Sequence, residues 1–121
     1  MIQLNTNLTV IDNSGVKIIK CIKILDGSKF KGSVGNIIVG AVQKVVAGRK
    51  IKSGEVHKSL IVRQKKELKR KDATLLKFSE NCAIILNQKN MPMSTRIFGP
   101  IPKEFRKKRF MKVLSIAQGI I

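Results

Sequence analysis

The chain has 121 residues, with 25 Lys and Arg set against seven Asp and Glu, a net charge of +18. That length suits one domain, and 43% hydrophobic residues supply a core and exclude disorder throughout. No apolar run approaches the roughly 18 residues of a spanning helix. A charge so one-sided repels itself unless something anionic neutralises it, which makes nucleic acid the first partner class and an anionic membrane surface the second.

In chain order, MIQLNTNLTV reads as neither a secretory signal nor an Arg-rich presequence. LTVI (8–11) is a strand and DNSG (12–15) a turn. VKIIKCIKIL (16–25) alternates imperfectly, with Val16, Ile18, Lys20, Ile22 and Ile24 on one face and Lys17, Ile19, Cys21, Lys23 and Leu25 on the other. Its isoleucine content predicts a strand covered in part on both faces rather than a helix. Asp26-Gly27-Ser28 makes the next turn and Gly32 to Gly35 another. VGNIIVGAVQKVV (34–46) is a long strand in which Gly40 marks a bulge or a close-packing point. AGRKIKSGE (47–55) is a basic turn, and VHKSLIV (56–62) resumes the strand pattern. RQKKELKRKDA (63–73) has few apolar residues and reads as a protruding ribbon; Leu75 to Phe78 and Cys82 to Asn87 are short strands, with Phe78 assigned to the core.

Six or so short strands in so small a domain suggest a closed barrel, because closure removes aggregation-prone edges. The tail differs. Pro100 and Pro102 end the extended chain, Pro102 suits the first position of a helix, and one or two short helices are expected between Lys103 and Ala117. The whole, 1–121, is expected as one domain: barrel to about 95, helical segment over about 100–117.

Catalytic chemistry has little to work with. His57 is the sole histidine and sits in a strand pattern, which excludes His-based metal clusters and His relays. The seven carboxylates form no paired grouping; each adjoins a turn or a basic cluster, where a local salt bridge is expected. Cys21 and Cys82 form no CxxC and read as inert reduced thiols, with no local histidine partner. Gly32-Ser33-Val34-Gly35 is too short to cradle a phosphate and lacks a following GK[ST]. The expectation is a non-enzyme with no metal and no cofactor.

Basic residues, by contrast, fall into clusters. Lys17, Lys20 and Lys23 lie along one strand, with Lys29 and Lys31 at the following turn; Arg49, Lys50 and Lys52 form a second cluster. Arg63, Lys65, Lys66, Lys69, Arg70 and Lys71 form a third, and the tail a fourth, where Arg106, Lys107, Lys108, Arg109 and Lys112 crowd around Phe105 and Phe110. Clusters on several sides predict embedding in folded RNA rather than reading of one groove. With no Trp or Tyr and five Phe, an aromatic stacking platform is not supported; phosphate and shape recognition is.

These segments resemble the large-subunit ribosomal protein L-fourteen family from Met1 to about Ala117. DNSG, CIKIL at 21–25, VRQKKELKRKDATLLKFSENCAIILN at 62–87 and TRIFGPIPKEFRKKRFMKVLSIA at 95–117 carry the resemblance. In the family pattern Ser59, Leu60, Ile61, Val62, Asp72, Phe78, Asn81, Ile84 and Ile85 fill the characteristic places. Ser59 stands where the family usually has Ala or Gly, and Ala73 where it usually has Gly, so a different ribbon turn is expected there.

The resemblance implies a mainly β fold: a small closed five-stranded barrel, a projecting β-ribbon and a short C-terminal helical segment. It implies a structural constituent of the large subunit that binds the large rRNA and packs beside the L-nineteen and L-three families. It also implies a C-terminal face, matched by Thr95, Arg96, Lys112 and Ser115, that touches small-subunit rRNA at a bridge and receives a silencing factor in bacteria and organelles. On that basis Phe98, Phe105 and Phe110 anchor the tail, while Arg106, Lys107, Lys108, Arg109 and Lys112 point outward, toward rRNA and the opposing subunit.

Two other readings compete: a free OB-like nucleic-acid binder, which would want aromatics, and a peripheral membrane protein, which would want a wider amphipathic basic helix. Nineteen Lys against six Arg, with seventeen Ile and seven Asn, follow AT-rich codons and favour an organellar, mitochondrial gene; an AT-rich bacterium or a plastid is the alternative.

Overall fold

A computed structural model describes residues 2–25, 31–48, 51–106 and 110–121. Five strands close a barrel: β1 (Asn7–Val10), β2 (Val16–Ile24), β3 (Ile37–Val45), β4 (Val56–Arg63) and β7 (Cys82–Leu86). Neighbours run antiparallel except at the seam, where β1 pairs parallel with β7 through Thr9 with Cys82 and Val10 with Ala83. Between β4 and β7 the chain leaves the barrel as a two-stranded ribbon, β5 (Leu68–Lys69) and β6 (Leu75–Leu76), which pair only with each other. After β7 come β8 (Ile97–Ile101), a 3-10 turn at Lys103–Phe105, the short helix α1 (Met111–Ile116) and β9 (Ala117–Ile120).

The inward face of β2 is Val16, Ile19, Cys21 and Ile24, not the every-other-residue set that the pattern suggested. The register against β3 slips between Val16 and Ile19 and again between Cys21 and Lys23. Each slip is a bulge that re-aims the side chains beyond it. Ile22, expected on an apolar face, is therefore exposed. Gly40 is a close-packing point: a Cβ there would meet Ile19 Cδ1 at 3.1 Å. The bulge itself lies across from it, on β2.

There are two cores. Ile2, Leu8, Ile19, Ile38, Ile61 and Ile85 fill the barrel. Leu60, Val62, Cys82, Ile84 and Leu86 face outward, yet are buried beneath Ile97, Ile101, Phe105, Phe110 and Val113 of the tail. This double cover explains why SLIV and CAIIL run apolar without alternation, as strands buried on both faces do. Phe105 and Phe110 meet edge to face at 5.5 Å between ring centres.

Several expectations about the tail are corrected. Extended chain continues through Pro100 to Ile101, because β8 is an edge strand, where a missing N–H is tolerated. The helical segment breaks at Ala117, whose extended backbone begins β9, paired parallel with β8 through Ile97 with Ala117 and Ile101 with Ile120. Phe98 is 47% exposed and is no anchor, since it alternates outward from Ile97 along β8. Phe78 is half-buried under the Arg63 guanidinium, 5.6 Å from its ring centre, rather than in a core.

The ribbon turn is corrected as well. Ala73 has φ +67, so the chain keeps a left-handed conformation at that position despite lacking Gly. Asp72 holds it: its Oδ1 accepts from the Thr74 amide at 3.2 Å and the Thr74 hydroxyl at 2.6 Å. The Arg70 amide donates to the Thr74 carbonyl at 3.0 Å, and the Ala73 amide to the Arg70 carbonyl at 3.2 Å. These bonds offset a strain of about 1–2 kcal/mol.

Candidate nucleic-acid interface

Lys17 and Lys23 stand exposed on the outer wall of β2, with Lys20 half-buried between them. Lys44, which composition alone did not single out, joins them from β3, registered against Ile18. Lys31 is exposed just before Gly32, and Lys52 is exposed on the β3–β4 turn. Lys29, Arg49, Lys50, Lys107, Lys108 and Arg109 lie outside the described residues.

Among the described residues the ribbon carries the densest run of charge. Cross-strand pairing puts Leu68 and Leu76 on one face and Lys69 and Leu75 on the other. On the second side a concavity of about 320 Å³ is lined by Lys65, Lys66, Glu67, Lys69 and Lys77. Lys77 was missed in the sequence because it follows the turn, eleven residues from Lys66 and outside the basic run; only strand pairing brings it back.

The two arginines of this cluster are occupied internally. Arg63 donates from Nε to the Pro100 carbonyl at 2.9 Å and from Nη2 to the Phe98 carbonyl at 2.8 Å, tying β8 to the barrel. Arg70 donates from Nε to Glu104 Oε1 at 2.7 Å and from Nη2 to Glu104 Oε2 at 3.3 Å and the Ile121 carbonyl at 2.6 Å. A guanidinium suits such fixed planar bonding and a lysine does not, which is why Arg stands at these two internal positions.

The C-terminal face is positioned by the DNSG turn. Asn13 Oδ1 accepts from the Thr95 amide at 3.1 Å and the Arg96 amide at 3.3 Å, and Asn13 Nδ2 donates to Thr95 Oγ1 at 2.8 Å. Thr95 and Arg96 lead into β8 at the end where Ser115 leads into β9, so the parallel register brings them to the same side. Lys112 is exposed on α1, and its carbonyl accepts from the Ser115 hydroxyl at 2.7 Å.

Asp12 does not form the local salt bridge expected of it. It is 6% exposed; Oδ2 accepts from the buried Ile85 amide at 2.9 Å, and Oδ1 from the Ser14 amide at 3.1 Å and from the Ser14 hydroxyl. Glu55 pairs with His57 Nε2 at 2.9 Å, and that bond holds the Glu55 carboxyl below its usual range. Both cysteines are free and buried; burial pushes Cys21 up and Cys82 up to about 12, so neither is a thiolate near neutrality.

Among the described residues Arg70 forms an ion pair with Glu104, Glu55 is hydrogen-bonded to His57, and no lysine forms an ion pair. No cluster of three or more His, Cys, Asp or Glu arranged to hold a metal occurs among them, and no helix is long and apolar enough to cross a membrane. The geometry therefore offers a barrel wall, a ribbon and a tail face studded with unneutralised cations. Compared with known families, the chain matches the model described as ribosomal protein L14p/L23e over residues 1–121.

Proposed function

This chain belongs to the ribosomal protein L14p/L23e family and is a large-subunit ribosomal protein, and we propose that it binds the large rRNA through the ribbon and barrel wall while its tail faces the small subunit. The observation that carries this reading is the segregation of charge. Fifteen lysines lie among the described residues and none forms an ion pair with a carboxylate, which favours a polyanion as the source of countercharge. Folded RNA fits because the cations lie on a wall, a turn and a ribbon that follow an irregular phosphate path.

Lys17, Lys20, Lys23, Lys31, Lys52, Lys65, Lys66 and Lys69 are assigned to phosphate, with Lys44 and Lys77 added from the geometry. Arg63 and Arg70 act mainly by holding the tail that completes the surface. Thr95, Arg96, Lys112 and Ser115 form the face toward small-subunit rRNA and a silencing factor, and proteins of the L-nineteen and L-three families are its neighbours in the subunit. The Lys, Ile and Asn bias supports a mitochondrial ribosome.

The test is equilibrium binding of the purified chain to large-subunit rRNA across a salt series. Each phosphate contact adds about 0.7–0.9 to the slope of log K against log salt. Changing Lys65, Lys66 and Lys69 together to Gln should make the slope shallower by roughly 2–3. An unchanged slope would remove the ribbon from the interface, and absence of any preference for rRNA over unrelated RNA would overturn the assignment of rRNA as the ligand.

A further inference from the structure

The other side of the ribbon faces the tail across a cleft of about 460 Å³, lined by ribbon residues 68–72 and by Lys103 and Glu104. Its size lies within the roughly 300–1,000 Å³ of small-ligand sites. Four of its seven lining residues are cationic and two are acidic, so it carries net positive charge. Leu68 and the aliphatic stems of Lys71 and Lys103 supply apolar surface, as long charged side chains do when their heads reach water.

Arg70 is the unusual member. Its side chain is only 14% exposed, and its guanidinium is fixed by two bonds to Glu104 and one to the Ile121 carbonyl. It is not free to chase a phosphate; held in place, it belongs to a residue that lines the cleft. Nucleobases splayed out of RNA stack on guanidinium planes as well as on aromatic rings. In a chain without Trp or Tyr, a fixed guanidinium is the group able to stand in for an aromatic platform.

We propose that this cleft holds one unstacked nucleobase of the bound RNA, seated against Leu68 and Arg70, with Lys71 and Lys103 engaging the flanking phosphates. The proposal rests on the rRNA-binding function above and names the class of ligand at this position. Excess cation on the rim favours a nucleotide over an acidic protein segment, because the flanking phosphates supply countercharge on both sides of the base.

The test uses the full chain with methyl-labelled leucines, titrated with a single-stranded RNA of about ten nucleotides, within the site size of one small domain. A second titration uses an abasic ribose–phosphate strand of equal length and charge. The intact RNA should shift the Leu68 methyl signals and bind roughly five- to a hundredfold more tightly than the abasic strand. Leu68→Ala should collapse that ratio while leaving the salt slope unchanged; Lys17→Gln, on the barrel wall, should weaken both strands alike. If both strands bind equally and the Leu68 methyls stay still, the cleft holds no base and the proposal falls, while rRNA binding survives. If neither strand nor rRNA binds, both readings fall together. A poly-glutamate peptide that moves the Leu68 methyls where RNA does not would give the cleft to an acidic protein segment and overturn the proposal.

Discussion

Replacing Gly99 with Ala should destabilise the chain through two separable effects. Gly99 has φ +78, where an L side chain costs about 1–2 kcal/mol. A Cβ there would also collide with Arg63 Nη2, the atom that donates to the Phe98 carbonyl. Displacing that guanidinium forfeits its bonds to Phe98 and Pro100; with solvent sharing a half-buried site, the pair is worth about 2 kcal/mol. Gly99→Ala should therefore cost roughly 3–4 kcal/mol in the natural chain and only 1–2 in an Arg63→Ala background. Urea denaturation of the four proteins gives the coupling directly, and the altered unfolded-state freedom of Ala cancels around the cycle. Additivity within about 0.5 kcal/mol would show that Gly99 is not reserved for Arg63.

Three further outcomes are expected. Phe105→Ala should cost about 3–5 kcal/mol by the same denaturation assay, because Phe105 is 1% exposed at the centre of the outer core; a loss below 1 kcal/mol would mean that the tail is not packed as described. Ser59 Oγ is buried with no hydrogen-bond partner, so Ser59→Ala should raise stability by about 1 kcal/mol, and a fall in the urea midpoint would contradict this. The bonds from Thr74 hold Asp72 below its ordinary value of 3.8. With a depressed folded pKa, the support of Asp72 for the ribbon turn is complete above that value and is lost as pH falls through the lower folded one. The Thr74 amide signal should accordingly titrate below pH 3.8, and a midpoint at or above it would refute the turn geometry.

The barrel was legible because turn residues punctuate it: DNSG and the 47–55 segment bound strands at nearly the places where strands end. The faces of β2 were not legible, because alternation predicts inward residues only while the register holds, and it shifts at three places between Val16 and Lys23. The unbroken apolar runs around Leu60 and Ile84 were visible, but nothing local to them says that the covering layer comes from Ile97, Ile101, Phe105, Phe110 and Val113. β9 was missed for a related reason: AQGI has weak strand propensity, and its pairing with β8 is non-local. The basic clusters were plain in composition. Their division of labour was not, since only the fold shows Arg63 and Arg70 turned toward backbone carbonyls and Glu104 while Lys44 and Lys77 join the exposed cations.

The most direct measurement is sedimentation of the native protein from gently lysed cells or organelles, detected across gradients run at low and moderate salt. Co-migration with the large subunit at both salt levels is the predicted result, as expected for a chain whose wall, ribbon and tail are all engaged. Recovery in the light fractions at low salt, where phosphate contacts are strongest, would contradict the account.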